Sequence, residues 1–246
     1  MEFEIFGLSC IDMVKGTVIK TGQLDYQYAW DLQRELHSKR RNQEIADTLL
    51  LLEHPHTYTI GKSGGENHLL ADEQLLARQD IKVHRIDRGG DITYHGPGQL
   101  IGYPIFDLHN HYLDVHRFLR DIEEVIIKVL AEYELLGRRE EGLTGVWVDG
   151  AKVCAIGIKV SRWVTMHGFA FNVTTDLSYF RNIVPCGISD KPITSLETLL
   201  DRNVQMKEVQ GKVINHFQSV FGIHFTEKRP AVHFQTDISE KTAEFS

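Results

Sequence analysis

The chain is predicted to be a mixed α/β (α+β) protein, a mixed β-sheet flanked by helices. Three observations point there. Amphipathic segments with clear start and stop residues read as helices. Short apolar runs bounded by turn residues read as strands. Hairpin signals are mixed among those runs, which argues against a regular strand–helix alternation.

Taken in order, the first helix is expected over Asp25–Arg41, where Tyr28, Ala29, Leu32 and Leu36 make an apolar stripe. Asp47-Thr-Leu-Leu-Leu-Leu-Glu53 reads as a buried strand ended by His54-Pro55. Asp114 is a good N-cap for the clearest helix, whose face runs from Val115 through Phe118, Ile122, Val125, Ile126 and Val129 to Tyr133. Val146–Val160 reads as a hairpin turning at Asp149-Gly150, because a type I′ turn needs positive φ at both central residues. Strand alternation then puts Lys152, Cys154, Ile156 and Ile158 on one face. A further strand fits Met166–Val173. A late helix fits Met206–Phe221, with Val209, Val213, Phe217 and Phe221 inward and Gly222 as its stop. One domain is expected over residues 1–225, followed by a polar C-terminal tail over 226–246.

The composition excludes several classes. Hydrophobic residues make up 42% and charged residues 25% of the 246, which argues against disorder and fibres. A net charge of −7 argues against non-specific nucleic-acid binding. The opening Met1-Glu2-Phe3-Glu4 is acidic where a secretory signal is basic, and no run nears the roughly 20 apolar residues of a membrane span. Three cysteines, at positions 10, 154 and 186, include no CxxC pair and fit free thiols in a reducing cytosol. A soluble cytoplasmic protein is expected.

Some motifs fail. Gly61-Lys62-Ser63 lacks the earlier glycine of a phosphate-binding loop, where His56 stands instead. Gly96-Pro97-Gly98-Gln-Leu-Ile-Gly102 misses the dinucleotide spacing by one residue. Thirteen histidines include His54-x-His56 and His109-x-His111 but no HExxH or zinc-finger spacing. Solvated or capping histidines are expected, and no metal.

Four segments carry chemistry. Arg88–Tyr103 mixes glycines, four of them with a proline inside its first eleven residues, with Arg, Thr, His and Gln. Glycine lets backbone approach a ligand and present its N–H groups, and Arg88 suits holding the loop or an anionic group. Pro185-Cys186-Gly187 places a thiol at a sharp corner, where it is either a nucleophile beside free N–H groups or a structural cysteine. Lys152 on the hairpin is either a snorkelling ammonium or a desolvated amine able to take a proton from a thiol. Cys154, mid-strand among apolar neighbours, is the poorer nucleophile because it is less accessible. His167-Gly168-Phe169-Ala170-Phe171-Asn172-Val173 alternates small and bulky residues, as in the wall of an apolar pocket or in an ordinary buried strand.

Together these segments resemble the lipoyl(octanoyl) transferases, from about residue 20 to 222. The family pattern RGG-x-x-T-aromatic-H-x-x-G-Q-x-x-x-Y is matched by Arg88, Thr93, Tyr94, His95, Gly98, Gln99 and Tyr103. The Gly150-x-Lys152 of the hairpin, Arg162 with His167-Gly168, Pro185-Cys186-Gly187 and Pro192-Ile193-Thr194-Ser195-Leu196 follow in the right order. The resemblance implies the fold of the biotin and lipoate protein ligases. It implies an acyltransferase that moves octanoyl from octanoyl-acyl carrier protein to a lysine of lipoyl domains, those of 2-oxoacid dehydrogenases and the glycine cleavage H protein. Cys186 would be the nucleophile and Lys152 the base that lowers the thiol's effective pKa. The substrate wall would comprise Arg88, Gly89, Gly90, Asp91, Ile92, Thr93, Tyr94 and His95, with Ala155, Ile156, Gly157, Gly168, Phe169 and Ala170. No cofactor is implied, since the donor is already a thioester.

Two rivals stand beside this reading. An ATP-dependent lipoate or biotin ligase on the same fold would need no cysteine. A non-catalytic module binding carrier or lipoyl proteins would need neither Cys186 nor Lys152. Carrier proteins of this kind are acidic, so an acidic chain must dock them through a local basic patch, for which Lys159 with Arg162 is the candidate.

Overall fold

The computed structural model describes residues 14–184 and 192–228. Along the chain run β1 (Val14–Gln23), α1 (Tyr26–Arg41), β2 (Asp47–Glu53), β3 (Thr57–Ile60), α2 (Glu73–Arg78), β4 (Lys82–Arg85), β5 (Ile92–His95) and β6 (Gln99–Ile105). There follow α3 (Val115–Ala131), β7 (Gly145–Val148), β8 (Ala151–Ser161), β9 (Val164–Asn172), α4 (Leu196–Leu200), α5 (Met206–Phe221) and β10 (Ile223–Lys228). Among the described residues, seven strands form one mixed sheet in the order β10-β1-β2-β6-β9-β8-β7, and β4-β3-β5 form a smaller one.

The central strand β2 shows why the large sheet needs helices on both faces. Its four leucines are all fully buried, with Leu49 and Leu51 in one core and Leu50 and Leu52 in another. The first core is closed by α3 and α5, through Phe118, Ile122, Val129, Val213 and Phe217. The second is closed by α1, through Ala29, Leu32 and Leu36. Each such leucine contributes about 1.5–3 kcal/mol by burial. Asp114 caps α3 as expected, accepting from Arg117 N–H at 3.0 Å, and Asp25, expected inside the first helix, instead caps it, its carboxylate accepting from the Gln27 and Tyr28 N–H groups. Gly222 ends α5 at a φ of 62°.

The hairpin β7–β8 turns at Asp149-Gly150, with φ of 48° and 78°. Its register differs from strict alternation. Val146 pairs with Cys154 while the next residue, Trp147, pairs with Lys152, so Val153 is an extra residue and the strand bulges there. The expected shared face of Lys152 and Cys154 is thereby broken. Cys154 is fully buried in the helix-backed core, whereas Lys152 is half-buried with its ammonium 4.9 Å from the Trp147 ring centre.

Other differences have local causes. β9 begins at Val164, earlier than expected, because the turn at Arg162 and Trp163 (φ 50° and 62°) brings β8 straight back. β10 pairs with β1 in parallel as far as Lys228, past the boundary expected at residue 225. The smaller sheet, built on its own core of Tyr58, Ile60, Ile92 and Tyr94, was not foreseen from the sequence. Four of the described histidines are not solvated caps: His37, His54, His95 and His167 are buried on hydrogen bonds to distant residues. No helix among the described residues is long and apolar enough to cross a membrane.

Candidate active site

A cavity opens where the smaller sheet and the Arg88–Asp91 loop meet β8 and β9. The loop is tied across by Gly89 N–H donating to Ile158 O at 2.9 Å. Arg88 holds it from below. Its guanidinium donates to the carbonyl and hydroxyl of Thr59, at 2.8 and 3.0 Å, and to Gly89 O at 3.0 Å.

Most of the expected wall is brought together here. Arg88, Gly90, Asp91, Ile92, Thr93 and His95 face Ala155, Ile156 and Gly157 of β8 and Gly168, Phe169 and Ala170 of β9 around the cavity. Two expected residues do not line it. Gly89 spends its N–H on Ile158. The Tyr94 ring turns the other way, into the core of the smaller sheet, where its hydroxyl meets His56 Nδ1 at 2.8 Å.

Lys152 also lines the cavity. Its backbone is clamped: its N–H donates to Pro192 O at 2.8 Å, and its carbonyl accepts from Thr194 N–H at 2.9 Å. On the other flank, Val184 N–H donates to His68 O at 2.8 Å, and Phe180 lines the cavity. Cys186, with the whole Pro185–Gly187 motif, lies outside the described residues, as do Cys10 and the chain beyond Lys228. The described cysteine, Cys154, is sealed in the core, and burial pushes its thiol pKa far up, so it is a poor nucleophile.

Residues outside the expected wall complete the cavity. Tyr26, the first residue of α1, Asn172 at the end of β9, and Ile193 line it, as does Tyr103. His54 supports Tyr103 from behind. Its Nδ1–H must donate to Leu24 O, at 2.7 Å, so its bare Nε2 accepts from the Tyr103 hydroxyl at 2.8 Å. Burial holds the His54 pKa down at about 4, so the ring is neutral. His167 is likewise neutral through burial, and it holds Asp87 at 2.9 Å. The hydrogen bonds from His167 and then Lys159 keep the Asp87 carboxyl well below the usual carboxylate range. Lys159 sits on that carboxylate at 2.5 Å. Through Asp87 it also supports a cavity-lining histidine. Among the described residues no cluster of His, Cys, Asp and Glu could hold a metal ion.

Comparisons with known proteins agree with this geometry. A sequence model described as the lipoyl protein ligase A/B catalytic domain matches residues 25–218. An octanoyltransferase of Rubrobacter xylanophilus is 52% identical, covering 82% of this chain and 91% of its own length. One from Cytophaga hutchinsonii is 48% identical over 82% of this chain and 91% of its own. Among solved structures, a bipartite lipoate protein ligase of Thermoplasma acidophilum superposes with a TM-score of 0.70 at 16% identity, covering 90% of this chain and 89% of that one. That last likeness speaks to the fold alone. By sequence, the chain belongs to the lipoyl protein ligase A/B catalytic domain family and, within it, to the octanoyltransferases.

Proposed function

We propose that this octanoyltransferase takes its acyl group from octanoyl-acyl carrier protein and passes it to a specific lysine of lipoyl domains through a thioester on Cys186. The acceptors are lipoyl domains such as those of 2-oxoacid dehydrogenases and the glycine cleavage H protein. The observation that carries the reading is the placement of Lys152. It lines the cavity, and its backbone is clamped to Pro192 and Thr194, six and eight residues beyond Cys186. Val184, two residues before Cys186, is pinned on the opposite flank. Phe180 and Ile193, described residues before and after the cysteine segment, line the same cavity as Lys152.

The chemistry follows from these groups. Lys152, as the free amine, takes the Cys186 thiol proton. The thiolate attacks the donor carbonyl carbon, the bond from that carbon to the carrier's sulfur breaks, and the leaving thiolate takes the proton back from Lys152. This exchange of one thioester for another is nearly isoenergetic. The acceptor lysine, as the amine, then attacks the Cys186 thioester. The amide forms, the Cys186 thiolate leaves, and the amine's proton passes through Lys152 to that thiolate, restoring the Cys186 thiol. Amide formation makes the sequence downhill without ATP. Reference pKa values of about 8.5 for a thiol and 10.4 for an amine mean that the site must assist the first proton transfer. A reducing compartment, the cytoplasm, suits a mechanism that needs Cys186 as a thiol.

The test is transfer in a mixture of octanoyl-carrier protein, an unmodified lipoyl domain and this protein with no nucleotide present. The lipoyl domain is expected to gain one octanoyl mass. Transfer only from free octanoate, and only with ATP, would instead place the chain with the adenylate-forming ligases.

A further inference from the structure

We infer that His95 is a positioning residue, fixed as the Nδ1–H tautomer in a one-way hydrogen-bond relay that runs from Arg88 through Thr59, His95, Gln99 and Asn172 to the backbone around Lys152. The relay deepens the acyl-transfer reading above, because it joins the loop that walls the cavity to the backbone that clamps Lys152.

Two backbone carbonyls set its direction. Gln99 Nε2 lies 3.1 Å from Tyr94 O, and a carbonyl only accepts, so the amide nitrogen must face it. The same nitrogen donates to Asn172 Oδ1 at 2.9 Å. Gln99 Oε1 is left facing His95 Nδ1 at 3.0 Å, so Nδ1 must carry the proton. Asn172 is oriented in the same way, since its Nδ2 donates to Thr194 O at 3.0 Å. Thr194 N–H then donates to Lys152 O at 2.9 Å, and Lys152 N–H donates to Pro192 O at 2.8 Å.

At the other end, His95 Nε2 has no proton to give and lies 3.2 Å from the Thr59 hydroxyl. That hydroxyl accepts from Arg88 Nη2 at 3.0 Å and so has its own proton free for Nε2. Every donor points the same way, and each of the five side chains is at least nine-tenths buried. The Arg88 guanidinium, His54 and His167 surround the ring, and with burial they oppose a second proton on it. The motif histidine therefore does not exchange protons near neutral pH. It transmits position.

The test has two readouts. The first is nitrogen NMR of the His95 ring in the whole protein at neutral pH. A protonated Nδ1 with a bare Nε2 is expected; the opposite tautomer, which a free histidine side chain prefers, would overturn the assignment. This readout does not depend on acyl transfer, so its failure and the failure of the proposed function are distinguishable. The second compares Thr59→Val with Thr59→Ser. Valine keeps the shape and loses the hydroxyl, while serine keeps the hydroxyl and loses a methyl. The relay predicts that Thr59→Val lowers kcat about tenfold with little change in KM, and that Thr59→Ser stays near wild type. An active valine variant beside an impaired serine variant would mean that Thr59 only packs, and would overturn the relay.

Discussion

Cys154 and Lys152 illustrate how environment bears on what a single residue can do. Cys154 and Cys186 are chemically identical in the sequence. Cys154 is closed in by Val146, Val153 and Phe171, and burial raises its pKa, so it has almost no thiolate to offer at neutral pH. Cys154→Ser is expected to accept an octanoyl mass as the wild type does, and native protein treated with iodoacetamide should be left unlabelled at Cys154. Rapid labelling there would show the core to be open. Lys152 is expected to act as a base rather than as a charge. Lys152→Ala should slow thiol acylation by roughly 10²–10⁴-fold, and Lys152→Arg should not restore it, because arginine keeps the charge but stays protonated. An arginine variant acylated at the wild-type rate would leave Lys152 an electrostatic role only.

At the scale of elements, close packing of β6 on β9 decides what Gly168 does. A Cβ placed there would lie 2.1 Å from Gly102 O, a backbone atom that cannot swing aside. Gly168→Ala is therefore expected to spread these strands, shift Phe169 in the cavity wall and cost about 2–3 kcal/mol, in the range of overpacked cores. Chemical denaturation measures this, and an unchanged midpoint would show that the strands can relax. The element scale also separates what was legible in the sequence from what was not. α3 and α5 could be read nearly to the residue, because Asp114, Gly222 and the apolar stripes are local signals. The wall formed by β8 and β9 was legible through the family motif. The bulge at Val153 was not, since it arises from pairing with β7 rather than from its own segment. The same holds for the His54–Tyr103 bond, which spans 49 residues, and for Thr59 and Asn172, whose partners sit on other elements.

Across the whole molecule, the buried histidines make stability depend on pH. A neutral histidine whose folded pKa lies below its unfolded value binds fewer protons folded than unfolded, so stability falls as pH falls. For His54 the window runs from its ordinary value of 6.5 down to about 4, and it is worth about 3 kcal/mol. His95 and His167 shift in the same direction. Urea midpoints are expected to drop steadily between pH 6.5 and 4, and His54→Gln should flatten that slope while lowering stability at neutral pH. A midpoint constant over the window would mean that these rings are solvated in the folded state.

The central claim is that one thiol, that of Cys186, carries the acyl group. The direct measurement is intact mass after mixing the protein with octanoyl-carrier protein alone, without acceptor or ATP, followed by peptide mapping. One octanoyl mass is predicted on the peptide holding Cys186, released by hydroxylamine and absent from Cys186→Ala. An acyl group found on Cys154 or Lys152, or none at all while transfer to a lipoyl domain proceeds, would contradict it.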